Sequence, residues 1–366
     1  MQIFLEVFRI GTRIELTIVM NRKRLNVICF GMGAIGTYIG GSLSASGANV
    51  VFIEREEYIA DAEKKGIHII AGKKEIRLPQ IQVTSKVSEA LNKIEADVAL
   101  LAVKSFDTPA VLESLSGYEM NFPPILCLQN GVENEAMIAR RLGEDRVIAG
   151  TITSAVGRSS LGDIRLEKLR GVGIEKRHPL SATLIDWFNL ADLKAKGYRR
   201  RADMKWSKML TNLLANATSA ILNWTPAQVY SHPLTWRIEL EQIREALTVM
   251  KDMHIHLTDL PGTPALALMT LLNTLPPGMS QRLIGLPLAK GRGAKMPSFH
   301  IDLYAGKTIS EVTYLNGAVV RFAEKVNRPA PVNAKLCELL EKLASGQVQK
   351  TEFTDQPEKL AQWIKG

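Results

Sequence analysis

The sequence is poor in cysteine, with three in 366 residues. Cys29, Cys127 and Cys337 are far apart and lie in apolar stretches, which predicts buried thiols in a reducing compartment and argues against a disulfide framework. The first nineteen residues lack a secretory layout, because charged residues interrupt every apolar run. We therefore expect a cytoplasmic protein.

Other absences narrow the class of partner. The long apolar stretch at residues 26–53 is broken by glycine and serine in a strand-turn-helix pattern, which argues against a membrane span. No aromatic-interleaved basic run or zinc-finger spacing indicates nucleic acid. His254 and His256 have no third ligand at usable spacing, so no metal site is predicted. Because Lys plus Arg exceed Asp plus Glu by 46 to 37, the surface favours anions such as a phosphorylated cofactor or a small acid.

What is present predicts two domains. Four apolar runs in the first half, LNVICF, NVVFIE, ADVALLAV and PILCLQ, alternate with helical patterns, as in a mostly parallel, doubly wound α/β sheet. Residues 147–200 are interpreted as antiparallel strands and a covering helix that close this domain. Beyond Arg200 nearly every segment has helical periodicity, and the Pro- and Gly-rich residues 254–297 are interpreted as a mobile connection.

The predicted boundaries follow from these patterns. The α/β domain covers residues 24–200 and an all-α domain covers residues 201–345. Residues 346–366 are expected to form a loosely held tail. Residues 1–23 are taken as an N-terminal extension, and a native start at Met20 is our hypothesis for it.

A glycine-rich turn joins the first strand to the first helix. Its GxGxxG pattern follows LNVICF directly and opens a helix, which is the context that makes the pattern informative. The first glycine permits a tight turn, the second lets backbone N–H groups approach a pyrophosphate, and the third permits close helix packing. The alternative is a turn packed closely for its own sake. We predict a Rossmann-type dinucleotide-binding domain with a cofactor-binding turn made of Gly31, Met32, Gly33, Ala34, Ile35 and Gly36.

The end of the second strand leaves the identity of the dinucleotide open. Glu54 lies about 20 residues beyond the turn, where an acid can bind a ribose 2′-hydroxyl, whereas Arg55 can pair with the 2′-phosphate of NADP. An arginine here is hard to explain by packing, and Glu54 could face solvent. We therefore predict NADP, bound in part by Arg55, with NAD as the alternative.

Polar residues recur inside the apolar stretch KWSKMLTNLLANATSAI at residues 205–221. Lys208, Asn212 and Asn216 are four residues apart, and a drift of about 40° per step places them on one helix face. This stripe either faces water or lines a site. In a site, a partly desolvated lysine is a candidate proton donor, because desolvation lowers its pKa from about 10.4 towards neutrality.

Five segments together resemble one enzyme family. The glycine turn, AVKSF at 102–106, LQNGVENE at 128–135, KWSKMLTNLLAN at 205–216 and SEVTYLNGAVVR at 310–321 resemble ketopantoate reductase, an NADPH enzyme that makes pantoate. The resemblance runs from about Arg24 to Leu343, with the motifs in the family's order. It implies a Rossmann domain, a helical domain, an active site in the cleft between them, and a homodimer formed through the helical domain.

The resemblance assigns roles to the polar stripe. Lys208 matches the family's catalytic lysine, and Asn212 and Asn216 match asparagines that hold the substrate. Hydride delivery to the carbonyl carbon of a 2-oxo acid leaves negative charge on oxygen, so a proton donor must lie within hydrogen-bond reach. An ammonium group meets that requirement, and the amides can orient hydroxyl and carbonyl groups.

Four more positions match family residues. Glu311 matches an active-site glutamate that orients the substrate's hydroxyl, Ser298 matches a serine that binds its carboxylate, and Lys104 and Asn130 match positions that line the cofactor and reach the active site. The structural alternatives are a helix first-turn carboxylate, a helix N-cap, a surface lysine and a turn residue, respectively. The interval from Asp302 to Glu311 is one residue longer than the usual family spacing, which makes Ser298 the weakest match.

These observations predict an NADP-dependent reductase that converts 2-dehydropantoate to pantoate. Lys208 would supply the proton, and Glu311 and the asparagines would orient a small 2-oxo acid. No nucleic-acid or membrane partner is expected. A reductase of another 2-oxo acid would have the same architecture. A non-catalytic dinucleotide sensor would need neither Lys208 nor Glu311.

Overall fold

The computed structural model describes residues 23–292 and 295–366. Residues 1–22 of the predicted N-terminal extension lie outside the described residues. Within these ranges, a domain built on β-sheets precedes a domain built from helices, so the predicted fold class is confirmed. The described strands are β1 (Asn26–Phe30), β2 (Asn49–Ile53), β3 (Ile67–Ala71), β4 (Lys74–Leu78), β5 (Gln82–Thr84), β6 (Val98–Leu101), β7 (Ile125–Cys127), β8 (Val147–Ile152), β9 (Ala155–Ser160), β10 (Asp163–Lys168), β11 (Val172–Glu175) and β12 (Ala195–Tyr198).

The main sheet is doubly wound. Its strand order is β12-β11-β8-β7-β6-β1-β2-β5, and neighbouring strands are parallel except for β8 and β11. Its central strands are buried on both faces, which explains their unbroken apolar runs. The winding direction changes between β1 and β6, and such a switch point leaves a crevice at the carboxyl ends of the strands.

A second sheet was not predicted from the sequence. Its order is β4-β3-β10-β9, with β10 parallel to β3 and the other pairs antiparallel. The expectation that residues 147–200 form antiparallel strands closing the domain is correct only in part, because β8 continues the parallel sheet and β12 runs parallel to β11. The β3–β4 and β9–β10 pairs join consecutive strands, but β10 pairs with β3, about 90 residues earlier in the chain, and local patterning carries no information about that pairing.

The described α-helices are α1 (Ala34–Ala45), α2 (Glu56–Lys65), α3 (Val87–Lys93), α4 (Thr108–Ser114), α5 (Asn134–Leu142), α6 (Ser181–Leu190), α7 (Arg201–Leu213), α8 (Asn216–Leu222), α9 (Pro226–Ser231), α10 (Pro233–Asp252), α11 (Ala265–Thr274), α12 (Pro277–Ser280), α13 (Leu286–Arg292), α14 (Ser298–Tyr304), α15 (Asn316–Lys325), α16 (Pro331–Ala344) and α17 (Pro357–Lys365). Short 3₁₀ turns lie at Ser105–Asp107, Glu144–Arg146, Glu311–Tyr314 and Lys350–Glu352, and a π-helical turn lies at Gln281–Gly285. None of the helices described is long and apolar enough to cross a membrane.

The stretch at residues 205–221 is two helices, which corrects the prediction of one. Helix α7 ends at Leu213, Ala215 has a left-handed φ of 54°, and Asn216 begins α8. The buried Glu239 carboxylate accepts a 2.6 Å hydrogen bond from Ala215 N and so satisfies the backbone at the break. The polar stripe is therefore divided, and Asn216 is placed by a different helix from Lys208 and Asn212.

Two segments expected to be loose are folded. Residues 254–297 contain α11 to α13, although the sequence predicted a mobile connection. The predicted tail at 346–366 contains α17, whose Leu360 is fully buried in the helical core. Both segments bury apolar residues against distant helices, which propensity alone does not reveal.

The buried apolar residues form separate cores in the two domains. Two clusters lie on the faces of the main sheet and a third fills the helical domain. Cys29, Cys127 and Cys337 are free and buried, as predicted. Burial raises the pKa of each thiol, for Cys337 to about 12, which keeps them as neutral, apolar groups.

Charged contacts cross between the domains. On α7, Lys205 Nζ lies 2.7 Å from Glu135 Oε1 of α5, and it donates to the carbonyls of Gln129 (2.7 Å) and Gly150 (3.3 Å). Both charged side chains are about 95% buried. Burial alone would lower the pKa of Lys205, but Glu135 outweighs that and raises it, so the lysine stays charged.

A second contact between the domains joins one lysine of the sheet domain to two carboxylates of the helical domain. Lys104 Nζ, just after β6, lies 2.8 Å from Glu311 Oε2 and 3.0 Å from Asp302 Oδ2, both in the helical domain. Asp302 also pairs with Lys307 at 2.7 Å. We call Lys104, Asp302, Lys307 and Glu311 the interdomain ion cluster. A third bridge joins Arg321 of α15 to Glu133, with Nε 3.1 Å from Oε1.

Replacing the buried lysine tests the first contact. Lys205→Met leaves the Glu135 carboxylate buried without its partner, and we expect the free energy of unfolding in urea to fall by about 3–5 kcal/mol. In the double variant Lys205→Met/Glu135→Leu most of this loss should be recovered, because no charge remains buried. Equal losses in the single and double variants would contradict this.

Asp302 should make stability depend on pH in the acid range. Burial favours its neutral form, but Lys104 and Lys307 outweigh that and hold the pKa of Asp302 below its ordinary value of 3.8. Its ionic stabilisation is therefore complete above pH 3.8 and is lost as the pH falls through the folded-state pKa. We expect Asp302→Asn to cost roughly 1–3 kcal/mol at pH 7, and its difference from wild type to shrink below pH 3.8.

Thermal unfolding of both proteins from pH 7 down to about pH 2.5, a range that begins well above the ordinary pKa of 3.8 and ends below it, measures this difference. Asp61→Asn is the matched control, because the Asp61–Lys65 pair is exposed on α2 and should contribute little. A difference between wild type and Asp302→Asn that is constant across this range would contradict the expected linkage.

Candidate active site

The glycine turn has the geometry predicted for it. Gly31 has a φ of 90° and donates to Ile53 O at 2.9 Å, and a Cβ on Gly36 would lie 1.8 Å from Gly31 O. The N-cap of α1 is Gly33, no side chain of the described residues caps this end, and the space beside Gly33 is open. The N-terminus of α1 therefore begins beside open space, and its uncapped first-turn N–H groups are suited to an anion such as a pyrophosphate.

The acid after β2 is only partly exposed and its carboxylate binds the glycine turn, which corrects the interpretation that Glu54 simply faces solvent. Its Oε2 accepts a 2.7 Å hydrogen bond from Met32 N in the glycine turn, and its Oε1 accepts one of 3.0 Å from Arg55 N. The Arg55 side chain is 62% exposed, with Nη2 3.6 Å from Asp107 Oδ1. Both residues lie at the edge where a dinucleotide's adenosine would be expected.

Lys104 and Asn130 follow the carboxyl ends of β6 and β7, which are neighbours in the sheet. Lys104, whose side chain is 35% exposed, belongs to the interdomain ion cluster, and its expected position along the cofactor stays a prediction. Asn130 does lie in a turn, with Gly131 at a φ of 88°, but its Oδ1 accepts a 2.9 Å hydrogen bond from Asn212 Nδ2 across the interface. The turn therefore places an amide against the helical domain.

Hydrogen bonds connect the predicted residues into one row. Lys208 Nζ donates to Asn212 Oδ1 at 2.8 Å, and Asn212 donates to Asn130. Ser105 Oγ lies 3.0 Å from Asn130 O and 3.3 Å from Glu311 Oε1, and Ser105 N also donates to that oxygen at 3.3 Å. We call the series Lys208–Asn212–Asn130–Ser105–Glu311 the polar row. It runs from α7 past the strand ends to the buried Glu311.

Asn216 and Ser298 form a separate pair. Asn216 Oδ1 accepts from Phe299 N at 3.0 Å, and its Nδ2 lies 3.4 Å from Ser298 Oγ. Ser298 is the first residue of α14, and Pro297 is the N-cap. One turn further along α14, Asp302 contacts Lys104. Because Lys104 also contacts Glu311 of the polar row, α14 is connected to that row through Lys104. The longer interval between Asp302 and Glu311 does not prevent both carboxylates from reaching one lysine.

Glu311 lies in a 3₁₀ turn, and α15 begins only at Asn316. Ser310 does cap this turn, because its side chain accepts from Val312 N. The Glu311 side chain is 3% exposed, and its carboxylate faces Lys104 and Ser105. Burial opposes the charge on Lys104, but Glu311 and Asp302 together raise its pKa above the ordinary value, so Lys104 remains cationic and balances Glu311.

Four residues of this region were not predicted: Ser105, Asp302, Lys205 and Glu135. Ser105 lies inside AVKSF and Asp302 inside PSFHID, beside residues that were chosen. Lys205 and Glu135 are charged residues on otherwise buried helix faces, and that conflict with the apolar pattern is the signal that could have found them. In the part of the chain described, no three His, Cys, Asp or Glu side chains are grouped to hold a metal ion.

The arrangement brings together a lysine, amide groups and a buried carboxylate at the ends of parallel strands. An ammonium has three hydrogens, so Lys208 can hold Asn212 and donate to a further oxygen. The amides supply donors and acceptors without net charge. Such a set can protonate an oxygen and orient hydroxyl and carboxylate groups next to a dinucleotide site.

Two family models match successive parts of the chain. The family model described as ketopantoate reductase PanE/ApbA matches residues 27–177, and the model of its C-terminal part matches residues 202–344. A 2-dehydropantoate 2-reductase of Pyrococcus abyssi is 26% identical over 321 residues, which are 86% of this chain and 97% of that protein. One of Archaeoglobus fulgidus is 25% identical and covers 89% of this chain and 100% of its own.

Solved structures share the fold. A PanE/ApbA family ketopantoate reductase from Ralstonia eutropha superposes with a TM-score of 0.74 at 24% identity, covering 88% of this chain and 99% of that one. A D-mandelate dehydrogenase with NADH and anilino(oxo)acetate has a TM-score of 0.71 at 19% identity, with 88% and 99% covered. On the evidence of both family models and of the fold, this chain belongs to the ketopantoate reductase family.

Proposed function

We propose that the protein reduces 2-dehydropantoate to pantoate with a nicotinamide dinucleotide as hydride donor. The observation that carries the proposal is the polar row, which joins Lys208 on α7 to Glu311 past the carboxyl ends of β6 and β7. These strand ends adjoin the switch point where dinucleotides bind in open α/β sheets. Relatives named for this reaction, at 25–26% identity over most of their length, support it.

Each residue of the polar row has a separate role in the proposed reaction. Lys208 donates a proton to the substrate's carbonyl oxygen as negative charge develops there. Asn212 holds that lysine, Asn130 holds Asn212, and both amides orient the substrate. Glu311, paired with Lys104, accepts a hydrogen bond from the substrate's hydroxyl. Ser298 and Asn216, at the start of α14 and α8, bind the carboxylate. Closing the cleft excludes water and strengthens each of these contacts.

The glycine turn is suited to the cofactor. The first-turn N–H groups of α1 and the open space at Gly33 fit a pyrophosphate, and a bound NADPH or NADH supplies the hydride. Arg55, exposed at the end of β2, supports NADPH as a donor. The homodimer that the resemblance implies stays a prediction.

A reductase of a different 2-oxo acid is the second candidate. The D-mandelate dehydrogenase that shares this fold was solved with NADH and anilino(oxo)acetate, so the architecture accommodates other oxo acids. The fold therefore leaves the substrate's side chain undetermined.

Comparing substrates tests the proposal directly. We expect NADPH or NADH consumption with 2-dehydropantoate to give the highest kcat/KM among small 2-oxo acids, because the site is argued to bind both a hydroxyl and a carboxylate. The panel should include 2-oxoisovalerate, which lacks the hydroxyl, and phenylglyoxylate, which is aromatic. A higher kcat/KM with either of these would remove the pantoate assignment and favour the second candidate.

Replacing Lys208 tests the proton donor. Lys208→Ala should lower kcat by roughly 10²–10⁴-fold, the range for loss of a general acid, and leave the Kd of the dinucleotide nearly unchanged. Lys251→Ala is the matched control, since that lysine is exposed at the end of α10. Binding of dinucleotide with turnover in neither wild type nor variant would favour a sensor, and an unchanged kcat in Lys208→Ala would eliminate this lysine as the acid.

A further inference from the structure

Two neighbouring residues at the end of β2 favour opposite dinucleotides, and the structure gives them different surroundings. The Glu54 carboxylate is turned inward and held by two backbone N–H groups, those of Met32 and Arg55. Because one of these belongs to the glycine turn, the carboxylate is fixed beside the turn before any ligand arrives. A preorganised acceptor binds a donor with little further loss of side-chain entropy.

The carboxylate has capacity for more hydrogen bonds. Two carboxylate oxygens offer about four acceptor positions, and the backbone groups take one on each oxygen. The hydroxyls of an adenosine ribose are donors, and an acid about 20 residues beyond the first glycine of such a turn is where these hydroxyls bind. Glu54 therefore fits NADH in position and in chemistry.

Arg55 is less well prepared to bind a 2′-phosphate. Its guanidinium is 62% exposed, and its nearest anion is Asp107, at 3.6 Å. Asp107 interacts electrostatically with Arg55 and Lys307 and with the carboxylate of Glu54, so Arg55 shares this edge with two anions. A phosphate placed here would face the charge of Glu54, and like charges brought together at a binding site weaken binding.

We propose, on the basis of the proposed reductase function, that Glu54 is the residue that determines cofactor preference: it binds the adenosine ribose hydroxyls and opposes a 2′-phosphate. The chain therefore binds NADH at least as tightly as NADPH. Arg55 makes NADPH acceptable without making it preferred. This revises the sequence-based prediction of NADP, which assumed that Glu54 faces solvent.

The test is the Kd of NADH and of NADPH, measured by isothermal titration calorimetry on the full chain without substrate. Glu54→Gln keeps an acceptor for Met32 N but removes the charge. We expect NADPH to bind about tenfold more tightly to this variant than to wild type, and NADH to bind no more tightly. Glu57→Gln, an exposed acid on α2, is the control and should change neither Kd.

Other outcomes would overturn the proposal. An equal change in both Kd values would mean that Glu54 only supports the turn, and a wild-type preference for NADPH that persists in Glu54→Gln would eliminate it as a determinant. If Glu54→Gln does not fold, as judged by circular dichroism, Glu54→Ala provides the same comparison of the two Kd values. Binding of neither dinucleotide to wild type would overturn the reductase function itself, whereas binding with unaltered selectivity overturns this inference alone.

Discussion

The site depends on one cation placed between two anions. Lys104 leaves the end of β6 and meets Glu311 and Asp302, which belong to separate segments of the helical domain. Without Lys104, the nearly buried Glu311 carboxylate would be left with an uncompensated charge, at a cost of several kcal/mol. This contact therefore sets how the 3₁₀ turn at Glu311 and helix α14 lie relative to the sheet. Every residue proposed to touch substrate from those two segments is positioned through it.

Two lysines one helical turn apart on α7 have different roles because their surroundings differ. Lys205 is buried, paired with Glu135 and bonded to two backbone carbonyls, one just after β7 and one within β8, so it is an anchor between the domains. Lys208 is only partly buried and donates to an amide whose partner is Asn130. The anchor holds α7 against the loop that carries Asn130. The distance between the proposed proton donor and the strand ends is thus fixed by a residue that takes no part in the chemistry.

The proposed cofactor site combines an unselective part, the glycine turn, with a selective part, the side chains at the end of β2. A glycine turn of this kind is suited to any pyrophosphate, because backbone N–H groups recognise only charge and shape. Discrimination between dinucleotides is left to the side chains at the end of β2, where Glu54 is hydrogen-bonded into the turn and Arg55 is exposed. The orientation of one carboxylate is therefore enough to change which cofactor the same turn is suited to.

Much of the fold and of the site could be predicted from the sequence, because the determining signals are local. The turn was identified by glycine spacing after a buried strand. Apolar runs of strand length identified the sheet domain, and helical periodicity identified the helical domain. The polar residues among leucines identified Lys208 and Asn212. Contacts formed between distant segments could not be predicted in this way. The second sheet, the break at Ala215 and the burial of α17 each depend on a partner far along the chain.

The same distinction between local signals and distant contacts applies to the site. Sequence alone determined which residue types are available: a lysine, amides, a carboxylate and a glycine turn, in an order that resembles one family. Only the tertiary structure decided their partners, turning Glu54 towards Met32, joining Lys104 to Glu311 and Asp302, and burying Lys205 against Glu135. The physical reason is that a side chain's charge state and direction depend on neighbours brought together by packing, and packing is a property of the whole chain.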